Sequence, residues 1–238
     1  MTAFLLAAAV SAAQLARIDS VVAESIAKGE LPGAVVLVER RGTVRLRRAW
    51  GSRAVLPAIE TMSADTVFDV ASLTKAVATA PSVMILVEEG KIRLSDPVVR
   101  YSPEFGAGGG GRDRVTVEHL LTHRAGFPPD DPLELYTGTP EEIFARKYAR
   151  PLETPPGAEF VYSDVDYEVL GELVRRVSGK RLDAFAAERI FRPLGMKDTS
   201  FLPLSPPSPI PVGRIAPTEK RGDHWMRGEV HDPRAYAL

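Results

Sequence analysis

Apolar residues recur at intervals of three and four positions in several parts of the chain, which is the pattern of amphipathic helices. The first such helix ends at Gly29 and has the apolar positions Leu15, Ile18, Val22 and Ile26. A longer apolar segment from Ser72 to Glu89 ends at Gly90. Pro81 lies inside this segment and cannot donate a helical hydrogen bond, so we expect the second helix to be kinked or split.

A different pattern occupies the region between these two helices. The runs from Ala34 to Val38 and from Val44 to Trp50 are rich in strand-forming residues, and Arg41-Gly42 stands between them. They predict a β-hairpin. Two strands make a poor sheet on their own, so the hairpin is a first indication that further strands belong to it.

Beyond the second helix, the sequence predicts mostly helices and loops. We expect helices over 116–121, from a capping box at Thr139, from 165 to a stop at Gly179, and over 182–191. The glycine run from Gly106 to Gly111 predicts a flexible loop. The prolines after Leu202 predict an extended surface coil without a closing strand.

Composition narrows the class of protein. The 238 residues, 45% hydrophobic and 26% charged, suit one globular domain with room for an inserted lobe. With a formal net charge of -1, the chain has no basic excess that would suggest nucleic-acid binding. The absence of cysteine excludes disulfides, thiol nucleophiles and cysteine-based zinc sites.

The N-terminal residues 1–14 allow two interpretations. Their apolar run from Phe4 to Ala13 fits either a secretory signal segment or the first turns of a helix. The run is too short to span a bilayer, so we expect no stable membrane span.

The spacing Ser-x-x-Lys occurs twice, at Ser25–Lys28 and at Ser72–Lys75. The spacing alone is a weak signal, but the two pairs differ in position. Ser25 falls in the last turn of its helix, where carbonyl groups disfavour a developing negative charge. Ser72 opens its helix, where free amides and the positive end of the dipole stabilise an oxyanion.

At the second pair, Lys75 lies on the same helix face as Ser72 and within reach of its hydroxyl. Lys75 could activate the serine as a base if burial lowers its pKa. We expect that burial to come from the apolar neighbours Phe68, Val70, Ala71, Ala76 and Val77. Taken alone, the pair would more simply be a surface serine and lysine at a helix start.

Other candidate motifs are weaker evidence of function. His119 and His123 stand four apart on a predicted helix, but no third metal ligand accompanies them, so structural histidines are favoured. Arg221-Gly222-Asp223 is interpreted as a chance tripeptide. No phosphate loop, GxSxG elbow or HExxH sequence is present.

Several segments in the same order resemble the class C β-lactamases and the related esterases and D-alanyl-D-alanine carboxypeptidases, within the penicillin-binding-protein superfamily. The matching segments are 68–75 around Ser72, 119–128, 156–157 with 162–164, 190–196, and 198–201. The resemblance covers roughly Gly29 to Leu238. The tail, with 228–232, is most similar to a branch of periplasmic carboxypeptidases.

The resemblance implies an α+β fold over 15–238, with an antiparallel sheet and a helical lobe inserted at about 60–200. It implies that Ser72 is acylated, that Lys75 takes or relays its proton, and that Tyr162 protonates the leaving group and activates the deacylating water. The backbone amide of Ser72 would be one oxyanion donor.

Two departures from the family pattern stand out. Asp164 replaces an asparagine that orients the lysine and the substrate, and an ionised carboxylate there would hold Lys75 protonated. The family's third motif, a lysine or histidine followed by a small residue and glycine on a strand, is absent. We therefore expect the C-terminal strands to be missing from this chain, and the chain to be a poor enzyme by itself.

The function that follows is a serine hydrolase acting through an acyl-enzyme on a β-lactam, a D-alanyl peptide or a small ester. The expected partner is a small-molecule or peptidoglycan-peptide substrate, with no metal or organic cofactor and no nucleic acid. A periplasmic or secreted location is expected from the resemblance, with a cytoplasmic one left open. The alternatives are a catalytically silent peptidoglycan-binding or partner domain and a purely helical interaction protein.

Overall fold

The computed structural model describes residues 11–201 and 210–238. The chain divides into two compact units, one of Met1–Asp69 and Pro206–Gly228, the other of Val70–Ser205 and Glu229–Leu238. Residues 1–10 of the predicted signal segment, and the proline-rich stretch over 202–209, lie outside the described residues. None of the described helices is both long and apolar enough to cross a membrane.

The first unit contains the N-terminal helix and the hairpin. Helix α1 covers Ala12–Ala27 and begins at Ser11, whose side chain accepts a hydrogen bond from the Gln14 amide in a capping box. Strands β1, Gly33–Arg40, and β2, Thr43–Ala54, pair antiparallel. Both turn residues, Arg41 and Gly42, have positive φ, as a tight hairpin turn requires. The predicted helix and hairpin are confirmed.

A short third strand and part of the C-terminal segment complete this unit. Strand β3, Glu60–Thr61, pairs with β2. Strands β4, Lys220–Arg221, and β5, His224–Trp225, form a small hairpin of their own. Arg227 holds the carboxylate of Glu60 with two hydrogen bonds of 2.7 and 3.0 Å.

The prediction of a plain surface coil after Leu202 is therefore wrong for the described part of that segment. The tripeptide Arg221-Gly222-Asp223 contributes to the turn of the β4–β5 hairpin. Two-residue strands are too short to produce an alternating pattern, and Arg227 finds its partner 167 positions away. Neither feature leaves a local signal in the sequence.

The second unit begins with the helix that follows Ser72. Leu73 and Thr74 are α-helical, Lys75–Thr79 forms a π-helical turn, and helix α2 covers Ala80–Glu88. Pro81 has no N–H to donate, and in an α-helix its ring would collide with the Val77 carbonyl. The wider turn, in which the Ala80 amide donates to the Lys75 carbonyl, accommodates the proline. The expected kink or split at Pro81 thus takes the form of a π-helical turn within a segment that is helical from Leu73 to Glu88.

Five further helices belong to the same unit: α3, Val117–Leu121, α4, Pro140–Ala149, α5, Asp164–Ser178, α6, Leu182–Ala186, and α7, Pro233–Ala237. Thr116 and Thr139 cap α3 and α4, as predicted. The expected helix over 182–191 is α-helical only to Ala186, because Ala187–Phe191 forms a second π-helical turn.

Helix α5 runs through the main core of this unit. Its apolar stripe is buried in one cluster with side chains of α2 and α3, namely Val169, Leu170, Leu173, Val83, Leu86 and Leu120. A smaller cluster joins Ala78 of the first π-turn to Ile190 and Phe191 of the second. The segment after Ser72 is thus anchored at its apolar side by two groups of packed side chains.

The glycine run is packed in its first part and exposed beyond it. Gly106 and Gly108 lie in the 3-10 turn Pro103–Gly108, Gly109 and Gly110 are exposed, and the 3-10 turn Arg112–Arg114 follows the run. The buried Arg112 guanidinium donates to the carbonyls of Lys147 and Arg150 at the end of α4, at 3.0 and 2.9 Å. A Cβ on Gly108 would meet the Arg150 carbonyl at 2.4 Å, so this position requires glycine.

Candidate active site

Lys75 lies between the two groups that the sequence paired with it. Its Nζ donates to Ser72 Oγ at 3.0 Å and to Asp164 Oδ1 at 2.6 Å. The lysine side chain is 15% exposed and the aspartate 29%, whereas Ser72 is open to solvent. The structure thus brings Ser72, Lys75 and Asp164 into one continuous hydrogen-bonded group.

A strained backbone precedes the serine. Ala71 has φ +44°, a left-handed conformation that costs about 1 kcal/mol or more for a residue other than glycine. Its carbonyl accepts a hydrogen bond from the Thr74 amide, and the Ser72 carbonyl accepts one from the Lys75 amide, each at 3.0 Å. The strained turn places Ser72 just before the helix begins at Leu73.

Two tyrosine rings flank the Lys75 ammonium. Its Nζ lies 5.1 Å from the ring centroid of Tyr162 and 5.7 Å from that of Tyr167. At these distances an aromatic face stabilises a cation. Tyr162 is half-exposed, whereas the Tyr167 hydroxyl donates to the Leu121 carbonyl at 3.1 Å. Tyr162 was predicted for this site from the resemblance, and the structure places it there.

Tyr167 was missed in the sequence, although a signal was present. It stands three residues after Asp164 on α5, and residues at this spacing lie on one helix face. A helix whose first residue contacts Lys75 should present Tyr167 to the same lysine.

Of the two opposed expectations for the charge of Lys75, the structure supports the one in which Asp164 holds it protonated. Burial lowers the pKa of Lys75, but hydrogen bonds to Asp164 and Tyr162 outweigh it, so the pKa lies above its ordinary value. Lys75 is therefore an ammonium ion in this state of the protein. The apolar residues expected to bury it are all exposed: Phe68, Val70, Ala71, Ala76 and Val77. The prediction that they lower its pKa is wrong, because polar and aromatic groups surround the lysine instead.

His123 supports the segment that carries Tyr162. Its backbone adopts φ +57°, and its carbonyl accepts a hydrogen bond from the Val161 amide at 2.9 Å. The His123 and Tyr162 ring centroids are 4.6 Å apart. Beneath it, Asp166 Oδ2 lies 3.1 Å from His123 Nδ1. Burial raises the pKa of Asp166 to about 6, against the opposing effect of His123.

The start of α5 is fixed from a neighbouring loop. The Ser163 hydroxyl donates to the Pro128 carbonyl at 2.5 Å, and the Asp164 amide donates to the Pro129 carbonyl at 2.9 Å. Asp131 in this loop forms a buried ion pair with Lys147 of α4 and a partly exposed one with Arg150 at the end of that helix. This anchoring holds Asp164 where Lys75 can reach it.

The histidines do not form a metal pair. Helix α3 ends at Leu121, so His119 and His123 do not share a helix. His119 Nδ1 accepts from the Thr116 amide at 3.3 Å, and His123 contacts Asp166. Each histidine thus has a hydrogen-bonding partner, as a structural histidine would. Within residues 11–201 and 210–238, no group of three histidine, aspartate or glutamate side chains could hold a metal ion.

Comparison with known proteins shows which family the chain resembles. The family model described as Beta-lactamase matches residues 18–235. A protein of Salmonella agona, provisionally named a D-alanyl-D-alanine carboxypeptidase, is 31% identical over 257 residues. That match covers 94% of this chain and 58% of the relative, so the chain spans little more than half the length of such curated relatives.

The fold of the chain also resembles those of several solved structures, and the chain again covers only part of each of them. EstCE1, described as a hydrolase with promiscuous acyltransferase activity, superposes with a TM-score of 0.75 at 26% identity, over 90% of this chain and 58% of its own. A penicillin-binding protein homologue from Pyrococcus abyssi gives 0.72 at 27% identity, over 90% and 50%. A class C β-lactamase gives 0.73 at 23% identity, over 88% and 55%, which concerns the fold alone. As the resemblance predicted, the chain belongs to the β-lactamase family and has the β-lactamase and transpeptidase type of fold.

Proposed function

We propose that this protein is a serine hydrolase in which Ser72 attacks the carbonyl of an amide or ester and is transiently acylated. The observation that carries the proposal is the 3.0 Å contact between Lys75 Nζ and Ser72 Oγ at the start of a helix. A neighbouring ammonium and a helix N-terminus both stabilise negative charge that develops on Oγ during attack.

Tyr162 takes the second role in the proposal. Its half-exposed ring lies against Lys75, so its hydroxyl has access both to the ammonium and to a substrate in the open site. From there it would protonate the leaving group, and later help a water molecule to attack the acyl-enzyme.

The choice of substrate rests on the relatives. The name of the Salmonella agona protein supports a D-alanyl peptide, and the EstCE1 description supports an acyl ester. Both substrates, like a β-lactam, present a carbonyl to a serine nucleophile, and one acyl-enzyme mechanism serves all three.

Covalent labelling tests the proposal on the protein itself. The purified chain is incubated with a fluorescent penicillin and, separately, with a p-nitrophenyl ester, and adducts are located by mass spectrometry of the intact chain and of its peptides. We expect one adduct on Ser72 that Ser72→Ala abolishes. Ser25→Ala is the matched control, since it removes the other Ser-x-x-Lys serine, and should leave labelling unchanged.

Two outcomes would contradict the proposal. Labelling that persists in Ser72→Ala would place the nucleophile elsewhere. A folded wild-type chain that gains no adduct from either reagent would support the alternative of a catalytically silent binding domain. Circular dichroism of each protein shows whether it is folded.

A further inference from the structure

Lys75 makes a shorter hydrogen bond to Asp164 than to Ser72. Lys75 Nζ is 2.6 Å from Asp164 Oδ1 and 3.0 Å from Ser72 Oγ. Asp164 is the first residue of α5, with its amide fixed on the Pro129 carbonyl, so the carboxylate is held in place. Through these two hydrogen bonds, the lysine connects Ser72 with Asp164.

The remaining solvent exposure of this ion pair is small. The Lys75 and Asp164 side chains are 15% and 29% exposed, and the faces of Tyr162 and Tyr167 cover part of the ammonium. A substrate bound with its carbonyl at Ser72 would displace water from the pair. Loss of water penalises two separated charges more than a neutral amine and a carboxylic acid, because charged groups lose more hydration.

We propose that Asp164 is the terminal proton acceptor of acylation, receiving the Ser72 proton through Lys75 when substrate excludes water from the ion pair. The inference rests on the proposed function, since it needs Ser72 to be the nucleophile. It differs from a merely orienting role, in which residue 164 only holds the lysine in position.

The proton balance of the step is complete. The Lys75 ammonium gives one proton to the Asp164 carboxylate, and the resulting amine takes the hydroxyl proton of Ser72 as Oγ bonds to the carbonyl carbon. Lys75 is then an ammonium again, Asp164 is a carboxylic acid, and the carbonyl oxygen carries the negative charge. When the bond to the leaving group breaks, the Tyr162 hydroxyl protonates it, takes a proton from Lys75 in exchange, and Lys75 recovers one from Asp164.

Asparagine at position 164 separates this proposal from the alternatives. An amide oxygen accepts a hydrogen bond from Lys75, as the carboxylate does, but it cannot accept a proton at neutral pH. Asp164→Asn also removes contributions that raise the pKa of Lys75, while the lowering effect of burial remains. If Lys75 alone were the base, the variant would acylate as fast as the wild type or faster. If Asp164 is the acceptor, it would be slower.

The experiment measures the second-order rate constant of Ser72 acylation by a p-nitrophenyl ester from pH 5 to pH 9. We expect Asp164→Asn to lose about a hundredfold or more, the usual contribution of a positioned proton acceptor. Asp164→Glu keeps a carboxylate and should stay within about tenfold of the wild type, less than that contribution. Glu24→Gln is the matched control, because Glu24 pairs with the lysine of the other Ser-x-x-Lys sequence.

The pH profile and the lysine titration exclude a purely structural effect. In Asp164→Asn, the pKa of Lys75, followed by NMR of its 13C-methylated amine, should fall although the rate falls as well. An Asp164→Asn rate at or above that of the wild type overturns the inference, as does an Asp164→Glu rate as low as that of Asp164→Asn. If Asp164→Asn does not fold, Asp164→Glu decides alone: a rate within tenfold supports the inference, and a hundredfold loss overturns it. A wild type that is not acylated at Ser72 removes the proposed function, and this inference with it.

Discussion

The sequence Ser-x-x-Lys occurs in both units of this protein, with different surroundings. At Ser25–Lys28, the lysine forms an ion pair with Glu24 at 2.6 Å, and both side chains are more than half exposed. At Ser72–Lys75, the lysine is largely buried and hydrogen-bonds the serine and a carboxylate 89 positions further along the chain. The same spacing therefore gives a solvated surface pair in one unit and a coupled group in the other.

The difference between the two pairs shows that residues outside the motif determine its chemical properties. Spacing on a helix brings a serine and a lysine to one face, but it supplies neither the partner that fixes the charge of the lysine nor the helix end that favours an oxyanion. The partners of the lysine are Asp164, Tyr162 and Tyr167, which belong to one helix and the residues before it. The helix end comes from the position of Ser72, just before Leu73. A Ser-x-x-Lys motif is informative only together with such a partner segment.

Removing each lysine gives the largest expected difference between the two pairs. Lys75→Ala should lower the rate of Ser72 acylation by about a thousandfold, because it removes the group that conducts the proton and stabilises charge on Oγ. Lys28→Ala should leave the rate unchanged. Stopped-flow measurement of p-nitrophenol release checks both variants, and equal rates for the two would contradict the comparison.

Removing the hydroxyl of either tyrosine beside Lys75 should have a smaller effect than removing the lysine, and the two tyrosines should differ from each other. Tyr162→Phe keeps the ring beside Lys75 but removes the hydroxyl, and should slow turnover by about a hundredfold. In Tyr167→Phe the rate should stay near the wild-type value, and the lost hydrogen bond to Leu121 should cost about 1 kcal/mol in the free energy of unfolding. Steady-state kinetics and urea unfolding separate these two effects. Equal rate losses would show that the Tyr162 hydroxyl has no special role.

Asp166 makes the stability of the second unit depend on pH. Its pKa of about 6 in the folded chain lies above the ~3.9 of an unfolded aspartate. The folded chain thus binds more protons between these values, and the contribution of Asp166 to stability falls as the pH rises through that window, by about 2 to 3 kcal/mol.

Asp166→Asn should remove that decline. The unfolding free energy of the variant minus that of the wild type should therefore become more positive from about pH 4 to pH 6. Urea unfolding at each pH measures it. A constant difference across this range would show that Asp166 does not titrate there.

The smallest expected effect is at the exposed pair. Glu24→Gln breaks a surface ion pair at i,i+4 spacing, which should change the free energy of unfolding by less than about 0.5 kcal/mol. Thermal unfolding at low and high salt measures it. A larger loss would mean that the pair of the first unit is more than a solvated surface contact.

Local features of the fold could be predicted from the sequence. Helices with a cap or a stop, such as those beginning after Thr116 and Thr139 and the one ending at Gly179, have signals within four residues of each boundary. The Arg41-Gly42 hairpin is of the same kind. These elements were predictable because the groups that stabilise them are close neighbours in the chain.

Features that depend on distant partners were not predictable. The burial of Arg112 depends on carbonyls 35 and 38 positions away, and the glycines before it gave the opposite impression of a flexible loop. In the candidate site, the resemblance predicted Ser72, Lys75, Tyr162 and Asp164, and with Asp164 a protonated Lys75, whereas the apolar neighbours in sequence suggested a lowered pKa for this lysine, which is wrong. Its charge is set by side chains of another helix, which no local pattern reports.

The π-helical turn over Lys75–Thr79 also has a consequence for changes in chain length. Such a turn holds one residue more than an α-helical turn, so it is equivalent to a single-residue insertion between the reactive end of the helix and its core-facing end. Deleting one residue there would force an α-helical turn that Pro81 disfavours, and would rotate Lys75 by about 100° around the axis relative to Val83 and Leu86. Lys75 would then point away from Asp164. The number of residues between Lys75 and Pro81 is thus constrained more tightly than their identities.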